Sequence, residues 1–333
     1  MKRILPGLFL TAVVSTSSLA QAQSPQAARS ISQSDRQQGA AANPQLTAEF
    51  GSAYKGPQTA FVERVGKRVA IESGLSNASG DFTVTLLNSP VENAFAIPGG
   101  YIYITRQLLA LMNSEAELAS VLGHEVGHVA ARHSTSRNTR ATIGSILAAG
   151  AGALTGSSLA TRVVGTGAQL YTLKYGRGQE YEADALGIRY MTAAGYNPYA
   201  AAQILDQLDA STALSAQASG KSAQSLPTWA STHPNGAERV ERAMRLAADT
   251  GKPDRATGQD VAFLRMLDGL PYGATNEKKV IRIVTVGTRD TVDTLAARMN
   301  YPQLKRERFL TLNGLTEDQP LRPGMLVKLV AAG

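Results

Sequence analysis

Residues 114–133 read SEAELASVLGHEVGHVAARH, and the rest of the chain is best read outward from them. Ser114 and Glu117 form a capping box that starts a helix. Leu118, Val121, Leu122 and Val129 recur at helical spacing and give it a face to bury. Inside it, His124-Glu125-Val126-Gly127-His128 is an H-E-x-x-H sequence. Residues four apart share a helix face, so His124 and His128 present two imidazoles to one metal ion. Glu125 sits beside them, placed as general base and then general acid toward an attacking water.

A catalytic zinc takes three protein ligands and leaves a fourth position open. The metzincin pattern would need a histidine where Ser134 stands and a glycine at Ala131, so that class fails. His133 is five residues past His128, about 140° around a helix from the ligand face, and reads as a structural or surface residue. The remaining candidate lies on a second helix, predicted over 178–194. There Glu180 and Asp184 are again four apart. Glu180 is placed to ligate, and Asp184 to accept a hydrogen bond from the far ring nitrogen of His124, which fixes its tautomer. Glu182, two residues on, points elsewhere.

The chain has 333 residues, 43% hydrophobic and 18% charged, which excludes wholesale disorder. It has no cysteine. Disulfide scaffolds, cysteine-ligated zinc ribbons, iron–sulfur sites, thiol nucleophiles and an N-terminal lipid-modified cysteine are thereby excluded. The formal net charge is +7, with the excess mostly in 252–333, where 13 basic residues face 9 acidic ones. This is not the dense basic patch of a nucleic-acid binder, though the tail could favour an anionic membrane surface.

Residues 1–22 have a charged start at Lys2 and Arg3, a short apolar stretch and small residues at Ala20 and Ala22. They read as a secretory signal, and hence as an address to the periplasm. Residues 23–45, rich in Gln, Ala and Ser, read as a flexible linker, and 46–73 as helix. Strands are expected over 81–88, 91–97 and 101–105, the last two joined at Pro98-Gly99-Gly100. Asn93, Ala94, Phe95 and Ala96 are candidates for substrate binding, because an exposed sheet edge can pair with a peptide backbone. Residues 141–161 carry no charge but are interrupted by glycine, and read as a hairpin or flap near the site rather than a membrane span. Further helices are expected over 197–210 and 236–248, with a loop or lid at 211–226.

Four segments taken together, NAFAIPGGYIYIT (93–105), HEVGHVAARH (124–133), EYEAD (180–184) and Thr232-His233-Pro234 followed by Arg239, resemble the CAAX-prenyl-protease/HtpX-like family of gluzincin metallopeptidases. The exported layout is similar to its soluble periplasmic members, which act in envelope protein quality control. The resemblance covers about residues 46–246. It implies one zinc ion per chain held by His124, His128 and Glu180, with Glu125 catalytic, in a mainly helical zincin-type α+β domain with a small sheet. It also implies a catalytic role for His233 beside the oxyanion. A physical alternative is that His233 fills the open metal position in a resting state. Arg239 either points into the site toward substrate or is a plain surface arginine. The implied activity is hydrolysis of misfolded or misassembled envelope polypeptides.

Residues 280–333 read as a separate small domain after a linker at 251–279, the peptidase domain being 46–250. Strand, helix, helix and strand follow in order, and the segment looks like a LysM-type β-α-α-β module, a class that contacts peptidoglycan. Its Gly287-Thr288-Arg289-Asp290-Thr291 turn is longer than that class's usual Gly-Asp-Thr. Two other functions follow from this module: cleavage of peptidoglycan cross-bridges, and a wall-tethered chaperone or adaptor with a latent protease site.

Overall fold

Thr83–Leu87 (β1), Ala94–Ile97 (β2) and Tyr101–Thr105 (β3) are short, β-branched and aromatic, and pair into one sheet in the order β1-β3-β2. β1 runs parallel to β3 and β2 antiparallel to it. The β2–β3 turn needs Gly99 and Gly100, whose φ angles are +93° and +84°. The computed structural model describes residues 30–133, 175–220, 229–233, 236–254 and 259–333. The signal reading of 1–22 and the flap reading of 141–161 fall outside them. Among the described residues no helix is long and apolar enough to cross a membrane.

Alternation along the strands divides the sheet's neighbours. Val84, Leu86, Ala94, Ala96, Ile102 and Ile104 join the main core with helices Gln58–Ile71 (α2) and Glu115–Ala130 (α4). Leu87, Phe95, Ile97 and Tyr103 face the other way, onto Ala42, Leu46 and Phe50. Those three belong to or end a first helix, Gln33–Glu49 (α1). The linker reading of 23–45 is therefore corrected from Gln33 onward. Its signal was weak because α1 buries only Gly39, Ala42 and Leu46. A Cβ on Gly39 would sit 2.1 Å from the Pro98 carbonyl oxygen, so close approach replaces bulk there. The single helix expected over 46–73 is split instead, because Gly51 and Ser52 both take positive φ.

Arg106–Leu111 (α3) leads into α4, and Arg177–Ala193 (α5) and Ala200–Ser219 (α6) pack against it. α6 runs through part of the expected 211–226 loop, since its small residues are compatible with helix, and it stops at Gly220 in the left-handed conformation. Trp229–Thr232 (α7) and Ala237–Asp249 (α8) complete this part.

The C-terminal region has Val261–Met266 (α9), Pro271–Tyr272 (β4), Lys279–Thr285 (β5), Val292–Ala297 (α10), Lys305–Asn313 (α11) and Leu326–Ala332 (β6). β4, β5 and β6 form a second antiparallel sheet. The β-α-α-β order agrees with the sequence, but the linker reading of 251–279 does not hold for its second half. Phe263, Leu267 and Leu270 are buried in the same core as Val62 and Leu118. Arg106 donates to the carbonyls of Pro271 and Gly273 at 2.9 and 2.7 Å. Lys328, fully buried on β6, donates to the carbonyls of Ala110, Leu111 and Met112 at 2.7–2.8 Å. The helix-rich α+β chain thus shares one core across what composition divides.

On its outer edge β6 is met by side chains. The Gln259 amide accepts from Leu326 N at 2.7 Å and donates to Leu326 O at 2.6 Å. The Asn313 amide does the same for Lys328, at 2.7 and 3.0 Å.

Glu92 lies in the seam between the two sheets' surroundings, where Ser211 Oγ donates toward both carboxylate oxygens at 3.0 Å. Burial pushes its carboxyl up to about 7, against the opposing influence of Ser211 and Arg308. The folded chain therefore holds this proton more tightly than the unfolded chain does. This contribution is fully present below about pH 4.5 and is lost as pH rises to about 7. Urea unfolding at pH 5 and pH 8 should show that loss, and Glu92→Gln should remove this part of the pH dependence.

Candidate metal centre

Two helices meet on small residues to build the site. Gly123 and Gly127 of α4 face Ala183 and Gly187 of α5: a Cβ on Gly127 would lie 2.8 Å from Ala183 O, and one on Gly187 2.7 Å from His124 N. This close approach sets Glu180 and Asp184 against His124 and His128. The one-turn α7 then delivers Trp229 and His233 onto the same spot.

His124 Nε2 lies 3.0 Å from His128 Nε2, 3.2 Å from His233 Nδ1 and 3.5 Å from Glu180 Oε2. Glu180 Oε1 is 3.2 Å from His233 Nδ1 and 3.5 Å from His128 Nε2. All four side chains are buried, and their donor atoms lie within 4.8 Å of one another. A tetrahedron of zinc ligands about 2.0–2.1 Å from the ion has edges of about 3.3 Å, so the donor set fits that ion in chemistry and size. Among the buried side-chain atoms without a hydrogen-bond partner is Glu125 Oε2, at this centre.

The electrostatics agree with ligation. Burial, reinforced by His124, His233 and His133, holds the His128 imidazole well below its ordinary range, which keeps it neutral with a lone pair to offer. Burial would raise Glu180, but His233, His124 and Arg239 outweigh it and keep the carboxylate ionised. For Asp184, too, burial is outweighed, by Arg239 and His124. For His233, the pull of Glu180 and Glu125 overcomes burial and raises its affinity for a proton.

Asp184 Oδ1 lies 2.9 Å from His124 Nδ1, the far nitrogen of that ring. Arg239 is buried and points into the centre. It donates to Asp184 at 2.7 and 2.8 Å, and its Nη1 stands 2.9 Å from Glu180 Oε2. The surface reading of Arg239 is corrected on that ground, while the reading that it points into the site agrees with these contacts. Arg239→Leu would leave two buried carboxylates without their cation. It should cost about 3–5 kcal/mol in urea unfolding of the metal-free protein.

Asn93, Ala94, Phe95 and Ala96 have buried side chains. Phe95 stacks on Tyr103 at 4.6 Å, and Ala94 and Ala96 face the core, so any contact they make with a peptide is through the backbone. β2 is an edge strand of its sheet. Asn93 Oδ1 has no hydrogen-bond partner.

Four residues at the centre escaped the sequence reading of the site. Tyr175 stacks on the His128 ring at 3.7 Å, and Trp229 on the His233 ring at 4.6 Å. His133 Nδ1 is 2.9 Å from His128 Nδ1, and Glu182 Oε2 is 3.2 Å from His133 Nε2. Of the two readings of His133, structural or surface, the structural one holds, because α4 stops at Ala130 and Arg132 turns left-handed, φ +57°, which swings the ring back toward His128. A helical wheel cannot show that turn. The lone tryptophan, four residues before His233, was the one usable signal.

Comparison with known proteins gives the same picture. The mitochondrial metalloendopeptidase OMA1 of Schizosaccharomyces pombe is 32% identical over 188 residues, covering 56% of this chain and 52% of the relative. OMA1 of Arabidopsis thaliana is 34% identical over 158 residues, 47% and 30% of the two chains. The beta-barrel assembly-enhancing protease of Yersinia pestis is 28% identical over 266 residues, 76% and 52%. The chain thus spans about half or less of the length of these relatives. The model of Peptidase family M48, whose members are zinc-dependent metallopeptidases, matches residues 57–247. With a match over more than half its length, and a donor set suited to zinc, this chain belongs to peptidase family M48.

Proposed function

We propose that the chain is a zinc endopeptidase of the cell envelope that cuts misfolded or misassembled proteins, with His124, His128 and Glu180 as ligands. The observation that carries this reading is the convergence of four buried donor atoms beside a glutamate with an unpartnered oxygen. Zinc bound there would acidify the attacking water and polarise the scissile carbonyl. Glu125 Oε2 accepts the water proton, and the same carboxyl later delivers it to the leaving amine. Glu125 Oε1 is held near Trp229 Nε1 and His233 Nε2, each at 3.5 Å, which aims the free oxygen. Asp184 fixes the His124 tautomer, and Arg239 balances Asp184 and Glu180.

His233 stands where a fourth ligand would, 3.2 Å from both His124 Nε2 and Glu180 Oε1. That position favours the resting-state alternative, in which the imidazole moves aside for substrate and then serves the oxyanion. The edge of β2 supports backbone pairing with an extended client, and therefore broad cleavage. The name of one relative, a beta-barrel assembly-enhancing protease, favours clients that fold as β-barrels. The signal-like residues 1–22 favour the periplasm, in keeping with the resemblance of the layout to soluble periplasmic members of the HtpX-like group. The LysM-like order of 280–333 supports a peptidoglycan contact.

The test uses the purified zinc-loaded chain and His233→Ala, each incubated with an unfolded outer-membrane β-barrel protein and with its folded form. Cleavage of the unfolded form is expected, stopped by a chelator and restored by zinc. Cleavage indifferent to chelation overturns the mechanism. Release of muropeptides from sacculi, with the unfolded protein left intact, overturns the substrate.

A further inference from the structure

We propose that His133 and Glu182 form a positioning relay that holds the His128 ring in its metal-binding tautomer and ties the metal centre to the protein surface. The proposal rests on reading His128 as a ligand through Nε2, the atom that faces His124 Nε2 at 3.0 Å. A neutral imidazole that ligates through Nε2 carries its proton on Nδ1. That N–H then donates to His133 Nδ1, 2.9 Å away. His133, accepting at Nδ1, carries its own proton on Nε2 and donates it to Glu182 Oε2 at 3.2 Å. Each donor has one acceptor, and the chain runs in one direction from metal ligand to carboxylate.

The two ligand histidines are therefore supported differently. His124 leans directly on Asp184, which Arg239 neutralises. His128 reaches its carboxylate through a second imidazole. Glu182 is 38% exposed at its side chain, whereas Asp184 is 7% exposed, so only the first of these carboxylates meets solvent. The backbone shows what this arrangement costs. Arg132 adopts φ +57°, a left-handed conformation that strains a non-glycine residue. That turn is what carries His133 from the far side of the helix to His128. Tyr175 stacks on the His128 ring at 3.7 Å, so the ring face and the far nitrogen are both constrained.

Three variants and the native chain test the relay, with zinc affinity and nitrogen NMR as readouts. In the native zinc-loaded protein, ring-labelled with nitrogen-15, His128 should show a protonated Nδ1 with a scalar coupling across the hydrogen bond to His133 Nδ1. His133→Ala should weaken zinc binding by about 10- to 100-fold, the usual range for losing a ligand's hydrogen-bond partner. His133→Asn, whose Oδ1 can accept at the place of Nδ1, should recover most of that loss. Glu182→Gln should weaken binding less than His133→Ala and leave the coupling in place. Circular dichroism melts of the metal-free proteins check that each variant is folded. Should His133→Ala unfold, the tautomer and the coupling in the native protein decide alone. The relay is overturned by a native His128 with its proton on Nε2, by absence of the coupling, or by a folded His133→Ala that binds zinc as the native does. A native chain that takes up no zinc overturns instead the ligand reading on which the relay rests.

Discussion

Replacing Glu125 by glutamine should slow peptide hydrolysis by about 10²- to 10⁴-fold while zinc content and melting temperature stay close to native. The argument is local. Glu125 is fully buried and its Oε2 has no hydrogen-bond partner, so no hydrogen bond of the fold is lost with that oxygen. Glutamine keeps the volume and can still accept from Trp229 Nε1, 3.5 Å from Oε1 in the native chain. What it cannot do is take a proton. Loss of activity with retained metal would place the whole effect on proton transfer. A fall in zinc content would instead make Glu125 part of the binding set. Hydrolysis of a quenched peptide, beside zinc measured by mass spectrometry, separates the two.

The second large effect lies far from the metal. Lys328→Ala should destabilise the whole chain by about 3–5 kcal/mol, the range seen when one member of a buried charged network is removed. The ammonium satisfies three carbonyls at the end of α3 that have no solvent to fall back on. Burial pushes this ammonium down to about 7, with Glu117 opposing the shift, and pushes the Glu117 carboxyl up to about 7. Glu117 in turn accepts from Asn113 N at 2.7 Å and lies in the first turn of the helix that carries His124 and His128. One substitution on the last strand therefore loosens the start of the metal-binding helix. Lys328→Met, which keeps the buried stem, should lose less. Adding Glu117→Gln to Lys328→Ala should recover part of the loss, because it removes the carboxylate left without its cation. Urea unfolding at one pH of the native chain, Lys328→Ala, Glu117→Gln and the double variant measures this coupling.

Much of the site was legible because its chemistry repeats a helical period. His124 and His128, and again Glu180 and Asp184, are pairs four residues apart, and helix geometry alone puts each pair on one face. The sheet was legible from alternation around Pro98-Gly99-Gly100. What the sequence hid depends on backbone turns and close packing. The αL turn at Arg132 returns His133 to the centre, and no side-chain pattern announces it. α1 was hidden because it packs through Gly39 and Ala42, which carry little hydrophobic signal. The union of the two halves was hidden because Arg106 and Lys328 look like surface charges until their acceptors, main-chain carbonyls distant in sequence, are seen.

The amide side chains along β6 have a consequence for how such a molecule behaves in company. A terminal strand with bare N–H and C=O groups is a template on which other chains can polymerise. Gln259 and Asn313 each imitate one peptide unit of a neighbour that is not there, at Leu326 and Lys328. An arriving strand finds those positions already spoken for. The second sheet is thereby kept from becoming a seed.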